Sequence, residues 1–150
     1  MPILRTGTWD DLAPVARLVR LAVFVEEQGI PESEEWDDDD RHALHVVAFD
    51  KAMQPIGTAR LIYANEPAGH ARIGRMAVMK PHRGEGVGRL MLEQLLAEAQ
   101  AMGITALSLH AQVQAKALYE RCGFTADGPV FDEVGIPHQH MSLRMATCLR

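Results

Sequence analysis

Three glycines at alternate positions constrain this chain more than any other feature. They lie in the segment Arg83-Gly84-Glu85-Gly86-Val87-Gly88, between an apolar run at Met76–Met79 and a long stretch of helical periodicity. Glycines at a strand-to-helix junction remove side-chain bulk, so backbone N–H groups and the positive end of the helix dipole can converge on an anion. The segment therefore predicts a phosphate-binding loop.

The spacing of these glycines excludes two common nucleotide-binding motifs. A P-loop requires a glycine followed by lysine and then serine or threonine, and the chain has no Gly-Lys pair. A dinucleotide fingerprint requires a third glycine at the position where this chain has Arg89. We therefore expect a phosphate site of another class.

Length and composition indicate one globular domain that spans residues 1–150. The chain is long enough to bury a core, and 47% hydrophobic with 23% charged residues is ordinary for such a domain. No apolar run is long enough to span a membrane, and the strand-like start predicts no secretory signal. Cys122 and Cys148 are too few for a disulfide framework, so we expect reduced thiols and a cytoplasmic location.

The formal net charge of −5 is unevenly distributed along the chain. Residues 26–40 hold nine acidic and no basic residues, which leaves 11 acidic against 15 basic residues elsewhere, or about +4. The basic residues around the glycine loop suit a polyphosphate ligand, but they are too sparse, and the aromatic residues too few, for nucleic acid. The acidic segment either attracts a cationic amine or is a solvated loop, and both interpretations remain open.

Hydrophobic periodicity predicts the element order β-α-β-β-β-α-β-α-β-β. The first helix should begin after Thr8, which forms a capping pattern with Asp11, and should run as a single helix to about Glu27. The later helices should span Gly86–Met102 and about Ala115–Cys122, each closed by a glycine. The predicted strands are Ile3–Arg5, His45–Phe49, Ile56–Ile62, Arg72–Met79, Ala106–Leu109, Thr125–Phe131 and Gln139–Met145. This order predicts an α/β (α+β) fold with a mixed sheet of about seven strands and flanking helices.

Three sets of motifs resemble those of one family. Arg83, Gly86 and Gly88 fill the Q/R-x-x-G-x-G/A pattern of the pyrophosphate-binding loop in the GNAT acetyltransferases. About thirty residues later, Ala117–Phe124 is similar to the segment of that family that ends Y-x-x-x-G-F. Further segments resemble the ElaA-like branch of the family, namely Val23–Gln28, Asp40, His45, Gly57–Leu61, Gly74–Val78 and Gly135–His138. The resemblance covers nearly the whole chain and implies the GNAT fold.

The resemblance implies acetyl-CoA as the acyl donor and cosubstrate. Its pyrophosphate would lie on the N–H groups of residues 83–88, and its pantetheine arm would pair with the strand before the loop. The Val78 N–H would polarise the thioester carbonyl. Gln112 stands where many relatives carry an asparagine that binds the pantetheine arm, and its amide offers the same groups. The implied contacts are Met76, Ala77, Val78, Arg83, Gly84, Glu85, Gly86, Val87, Gly88, Gln112 and Tyr119.

Acetyl transfer to an amine needs a general acid for the leaving thiolate and a general base for the amine. The resemblance implies Tyr119 as the acid, because a phenol stays protonated at neutral pH, and a purely structural role on an apolar helix face is the alternative. Glu27 and His138 are the preferred candidates for the base, because both lie in segments that mark the branch. The full set of candidates is Glu26, Glu27, Asp40, His45, His110 and His138. The histidines show no recognisable metal-ligand spacing, so we expect no metal.

The expected function is an N-acetyltransferase that acts on a primary amine of a small molecule or on an exposed peptide amino group. Two alternatives stay open: a non-catalytic sensor that binds acetyl-CoA, and an acyltransferase that uses a longer acyl donor. We expect neither a nucleic-acid nor a membrane partner. Edge strands near the C-terminus leave a homodimer open.

Overall fold

A mixed sheet of eight strands forms the centre of the protein in a computed structural model, which describes residues 1–64 and 66–145. The strands pair in the order β1-β2-β3-β4-β5-β8-β6, and β7 pairs with β8. Among the strands of these residues, only β4 and β5 are parallel neighbours. The strands are β1 Ile3–Gly7, β2 Ala43–Phe49, β3 Pro55–Ile62, β4 His70–Val78, β5 Ala106–Gln112, β6 Thr125–Ala126, β7 Phe131–Glu133 and β8 Ile136–Arg144. The predicted α/β class and mixed sheet are confirmed, with eight strands in place of about seven.

Four α-helices flank this sheet in the described residues: α1 Trp9–Arg20, α2 Glu32–Glu35, α3 Val87–Ala101 and α4 Lys116–Arg121. The Thr8 hydroxyl caps α1 by accepting the Asp11 N–H at 3.4 Å, as predicted. The predicted end of this helical segment at Glu27 is confirmed, but the segment is not a single α-helix, because the chain widens into a π-helix over Leu21–Glu27 before the short α2. The end of this π-helix lies beside β5 and the glycine loop, where Gln28 contacts Gln112 and Glu27 contacts Arg83.

A tight hairpin separates β7 from β8, where the sequence predicted one strand over Thr125–Phe131 and a second from Gln139. Glu133 pairs with Ile136 across a two-residue turn of Val134 (φ +48°) and Gly135 (φ +78°). Two successive positive φ values are typical of hairpin turns whose twist matches the strands. The chain therefore forms three strands after α4, and β8 begins at Ile136. Cys122 is a free thiol, while Cys148 lies outside the described residues.

Two helices cover opposite faces of the sheet. Buried Leu61 and Ile73 of the sheet pack with Met91 and Leu95 of α3, and all four are at most 4% exposed. On the other face, α1 packs against β2 through a separate cluster of Trp9, Leu12, Ala16, Val47 and Phe49. Successive strand residues point to opposite faces, so this alternation fixes which polar residues line the uncovered part of each face. None of the helices in the described residues is long and apolar enough to cross a membrane.

The two parallel strands β4 and β5 separate halfway along their length. Their pairing ends at Ile73 and Leu109, although β4 continues to Val78 and β5 to Gln112. The register between β3 and β4 shifts beside this point, and Arg75 has the left-handed φ of +52°. A bulge of this kind bends a strand locally, and a non-glycine residue at positive φ is frequent at functional sites. The bend opens a gap between β4 and β5.

Ion pairs fasten the acidic segment 26–40 to the sheet. The buried Arg20 guanidinium contacts Glu35 at 2.8 Å and Asp40 at 2.7 Å. The buried Arg60 guanidinium contacts the same Asp40 carboxylate at 2.8 Å and donates two hydrogen bonds to Asp37 at 2.7 and 2.9 Å. Glu35 and Asp40 are therefore buried and paired, and Asp37 is paired while still partly exposed, so arginines neutralise part of the negative charge of the segment.

His45 makes the stability of the fold sensitive to mild acid. It is 1% exposed, donates from Nε2 to the Asp40 carbonyl at 2.9 Å and packs on the ring of Trp9. Burial holds the pKa of His45 below its ordinary value of 6.5. The unfolded chain then binds a proton that the folded chain does not, so stability should fall as the pH drops below about 6.5. Urea unfolding between about pH 7 and pH 5 measures this effect.

His42 supplies the matched control for that experiment, because it is exposed and lies three residues away. His42→Gln should keep the pH dependence of the wild type. His45→Gln should reduce it, and an unchanged slope in that variant would contradict this role of His45.

Candidate active site

A cavity of about 480 Å³ occupies the gap between β4 and β5. One wall carries Met76 of β4, and another carries Gln112 of β5 and Tyr119 of α4. Its polar lining contains more carboxylates than guanidinium groups, and His110 and His138 also line it. The carboxylates are Glu34, Glu35, Asp37, Asp39 and Glu133, and the guanidinium groups are Arg60, Arg72 and Arg75. A chamber of this size and polarity fits a small polar substrate.

The end of β4 presents backbone groups to this gap that pair with no neighbouring strand. The Met79 N–H donates to the Ile56 carbonyl of β3 at 2.8 Å. Because backbone groups alternate direction along a strand, the N–H and carbonyl of Val78 point away from β3. That is the side on which β4 has parted from β5. An extended ligand can therefore pair with β4 as an additional strand.

The glycine loop joins β4 to α3 with an open backbone. Gly84 (φ +83°) and Gly86 (φ +84°) are left-handed, and a Cβ at either position would meet no atom of the protein within 4 Å. Gly88 is constrained by packing instead, because its Cβ would lie 3.3 Å from a methyl group of Leu118. No side chain caps the N-terminus of α3, so its first N–H groups are free for an anion.

The Arg83 side chain joins the glycine loop to the end of the π-helix. Its Nη1 and Nη2 donate to the two carboxylate oxygens of Glu27 at 2.6 Å each, and its Nε donates to the Val78 carbonyl at 3.0 Å. The hydrogen bond from Arg83 holds the pKa of Glu27 below its usual range. Glu27 therefore stays ionised, with both oxygens occupied in this structure.

The Gln112 amide also joins two elements of the site. It exchanges two side-chain hydrogen bonds with Gln28, at 3.2 and 3.0 Å, and it also accepts one from Gln114 at 2.6 Å. The pair ties the end of β5 to the residue that follows the π-helix. Gln112 lines the cavity, as its predicted contact with the pantetheine arm requires.

Tyr119 lies at the junction of the core and the cavity. The residue is 6% exposed and packs edge-on against Phe124, and it lines the cavity. Its hydroxyl has no hydrogen-bond partner among the described residues. Burial raises the pKa of Tyr119 above its ordinary value of 10.0. The phenol therefore keeps its proton throughout the neutral and mildly alkaline range.

His138 lies across the cavity from β4 and is 6% exposed. Its Nδ1 lies 2.7 Å from the Ile136 carbonyl. A carbonyl only accepts, so this contact puts the ring proton on Nδ1 and leaves the Nε2 lone pair free. Nε2 lies 3.7 Å from a Glu133 oxygen, and the other Glu133 oxygen lies 3.0 Å from Nδ1 of His110.

The predicted site residues divide into two groups by position. Met76, Gln112, Tyr119, His110 and His138 line one cavity. The other candidates for the base lie outside that lining, namely Glu26, Glu27, Asp40 and His45. No three His, Cys, Asp or Glu side chains in residues 1–64 and 66–145 are placed to hold a metal ion.

Sequence reasoning missed Glu133 and the guanidinium groups of Arg60 and Arg75. The only local signal for Glu133 was the glycine at 135, which is typical of a hairpin turn two residues after it. Arg60 and Arg75 could not be assigned to the cavity from sequence, because their positions depend on the shifted register of β3 and β4.

Comparison with known proteins identifies the family. The family model for the acetyltransferase (GNAT) domain matches residues 13–145. The chain is 33% identical over 146 residues to the uncharacterized protein YyaT of Bacillus subtilis, which covers 95% of both chains. It is 30% identical over 126 residues to ElaA of Escherichia coli, which covers 83% of this chain and 82% of ElaA. The chain belongs to the GNAT acetyltransferase family.

Solved structures share the fold of this chain. The crystal structure of Escherichia coli ElaA matches with a TM-score of 0.85 at 24% identity and covers 96% of this chain and 100% of ElaA. An acyl-CoA N-acyltransferase from Pseudomonas aeruginosa matches with a TM-score of 0.83 at 29% identity, covering 95% and 99% of the two chains. The 30% identity to the ElaA sequence confirms the predicted membership of the ElaA-like branch, and the fold is that of acyl-CoA N-acyltransferases.

Proposed function

We propose that this protein transfers the acetyl group of acetyl-CoA to a primary amine of a small molecule or an exposed peptide amino group. The observation that carries the proposal is the open edge of β4, which lies between the glycine loop and a cavity lined by Tyr119. Gly88 packs between Leu118 and Val78, 3.3 and 3.7 Å from where its Cβ would be, so loop, strand and α4 meet at one place. These residues fit an extended acyl-CoA.

The cofactor contacts follow from this arrangement. The N–H groups at residues 83–88 would bind the pyrophosphate, and the backbone of Met76, Ala77 and Val78 would pair with the pantetheine arm. The Val78 N–H would then polarise the thioester carbonyl. Arg83 is paired with Glu27 at one end of this site. To bind the pyrophosphate, Arg83 must therefore share its guanidinium group between Glu27 and the phosphate or release Glu27.

The chemistry assigned to Tyr119 is proton donation. The amine nitrogen forms the new C–N bond to the thioester carbon while the C–S bond breaks. Tyr119 gives its phenolic proton to the leaving sulfur, and the proton lost from the acylated nitrogen restores the phenol. The proton of the starting ammonium goes to a base, so each turnover releases one proton to solvent.

His138 is the favoured base of the two preferred from the sequence. It lines the cavity, and its Nε2 carries a free lone pair. Glu27 lies outside the lining and has both oxygens on Arg83, and that pair holds its pKa below the usual range, so it is a weak proton acceptor. The role of Glu27 as a base stays a prediction, and its geometry favours a part in positioning Arg83.

The acceptor should be a small amine rather than a long polycation. The cavity holds about 480 Å³, and its lining has five carboxylates against three guanidinium groups, which favours a cationic ligand. Glu35 and Asp37 in that lining are already paired with arginines, so the acidic segment supplies less free charge than its composition suggests. The proposal keeps the cytoplasmic location expected from the sequence.

The test is release of CoA from acetyl-CoA across a panel of amines, run beside a thermal shift with acetyl-CoA alone. The panel contains a diamine, an aromatic amine, an amino sugar, an amino acid and a lysine peptide. Turnover with any of them supports the proposal. Stabilisation by acetyl-CoA without turnover would instead favour the sensor, and a preference for butyryl-CoA or longer donors would favour the other alternative.

Tyr119→Phe tests the general acid. We expect kcat to fall about tenfold at saturating acetyl-CoA, which is below the usual effect of a general acid because a thiolate leaves readily. The dissociation constant for acetyl-CoA should not change, because the ring is retained. Phe124→Leu is the control for packing beside Tyr119. A kcat equal to that of the wild type would remove Tyr119 from the mechanism.

A further inference from the structure

Glu133 is a cavity residue to which the mechanism has so far given no role. Its two carboxylate oxygens face two different histidines, His138 at 3.7 Å and His110 at 3.0 Å. The three residues differ sharply in exposure. His138 is buried, whereas the side chains of Glu133 and His110 are 41% and 49% exposed. His138, Glu133 and His110 therefore connect the enclosed part of the cavity with solvent.

We propose that Glu133 completes a proton relay in which His138 takes a proton from the acceptor ammonium and Glu133 passes it to solvent, with His110 as the residue that positions Glu133. The inference rests on the proposed acetyl transfer. The N–H bond of the ammonium breaks and an Nε2–H bond forms on His138. Nε2 of His138 then gives that proton to the Glu133 carboxylate, and the half-exposed carboxyl group releases it to water. The carboxylate only accepts, so the His110 Nδ1–H donates to the other Glu133 oxygen and holds the group in place. No electrons are exchanged and the three residues return to their starting states.

The direction of the relay follows from the hydrogen bond at the other nitrogen of His138. The Ile136 carbonyl already holds a proton on Nδ1, so a second proton makes the ring an imidazolium. The nearest carboxylate to Nε2 is Glu133, which stabilises that positive charge. The separation of 3.7 Å is longer than a hydrogen bond and within the range of an ion pair, so transfer requires the carboxylate to move closer or a water to bridge the two groups.

The local fold holds the three side chains on one face of the sheet. Phe131 packs edge-on against His110 at 5.0 Å and stacks on His138 at 6.1 Å, so one ring positions both histidines. The two-residue turn at Val134 places Glu133 over them. Val134 has a left-handed φ of +48°, which a β-branched residue rarely adopts, so the turn holds a strained conformation beside the cavity.

Glu133→Gln and His110→Asn test the relay with whichever panel amine gives the highest turnover. Both variants should lower kcat about tenfold while leaving the thermal shift produced by acetyl-CoA unchanged. Added imidazole should restore part of the lost rate in both variants, because a free base in the cavity can take the proton from His138 where Glu133 is absent or displaced. Imidazole should have little effect on the wild type.

Asp127→Asn is the matched control, because Asp127 pairs with His140 on the same sheet and neither residue lines the cavity. This variant should keep the wild-type kcat. A wild-type rate in Glu133→Gln, or a loss that imidazole does not restore, would overturn the relay and leave the acetyltransferase standing. Absence of turnover in the wild type with every amine would overturn the proposed function and the relay together.

Discussion

Asp40→Asn should lower the free energy of unfolding by about 3–5 kcal/mol, because it removes the shared partner of two buried guanidinium groups. Arg20 and Arg60 both contact the same Asp40 oxygen, at 2.7 and 2.8 Å, and the side chains of all three residues are at most 5% exposed. Asparagine keeps the shape of the side chain but removes its charge. The two guanidinium cations then remain buried with less negative charge beside them. The free-energy cost of this uncompensated charge is larger than the net stabilisation that the ion pairs themselves contribute.

The size of this effect matters against the total stability of a domain, which is about 5–15 kcal/mol. Urea unfolding followed by circular dichroism measures the change. Asp38→Asn is the matched control, because Asp38 is exposed in the same segment and should change stability by less than about 0.5 kcal/mol. Equal effects of the two substitutions would mean that the buried cluster contributes little to stability.

The same cluster connects stability to the candidate site. Arg60 and Asp37 line the cavity, and Asp37 also contacts Arg75 at 3.3 Å. Burial opposes ionisation of Asp37, but its hydrogen bonds from Arg60 hold its pKa below the usual range. In an Asp40→Asn protein that still folds, Arg60 and Asp37 should therefore no longer be held in fixed positions in the cavity wall.

Local signals were sufficient for the ends of α3 but not for the acidic segment. Gly86 and Gly103 have φ values of +84° and +80° and bracket a helix whose limits the sequence predicted to within one residue. The role of Asp40 depends on Arg20 and Arg60, each 20 positions away, and a run of carboxylates has the same composition whether it is solvated or buried. Sequence pattern therefore could not distinguish the two.

The same distinction applies to the candidate site. Tyr119 and the glycine loop could be predicted because each is part of a continuous motif. Glu133 reaches His110 only through the pairing of β7 with β8 and of β8 with β5, and the strand that carries it has three residues. The π-helix was also missed, because side-chain periodicity over seven residues does not separate it from an α-helix.

Gly86→Ala should weaken acetyl-CoA binding about 100-fold. In the left-handed region alanine costs about 1–2 kcal/mol, and relaxation of that strain would turn the loop N–H groups away from a pyrophosphate. Loss of two hydrogen bonds to a charged group, at about 1.5 kcal/mol each, corresponds to about that loss of affinity. Calorimetric titration with acetyl-CoA gives the dissociation constants, and S-acetylpantetheine, which lacks the pyrophosphate, should support similar turnover in the variant and the wild type.

Gly103→Ala separates the effect on binding from the effect on stability. Gly103 has nearly the same φ, and a Cβ there also meets no atom of the protein within 4 Å, but it lies at the opposite end of α3. The two variants should therefore lose similar stability in urea, while only Gly86→Ala loses affinity for acetyl-CoA. Equal affinities of the two variants for acetyl-CoA would show that the loop does not bind the pyrophosphate. The backbone strain is the same at both positions, so the two substitutions differ only in their location.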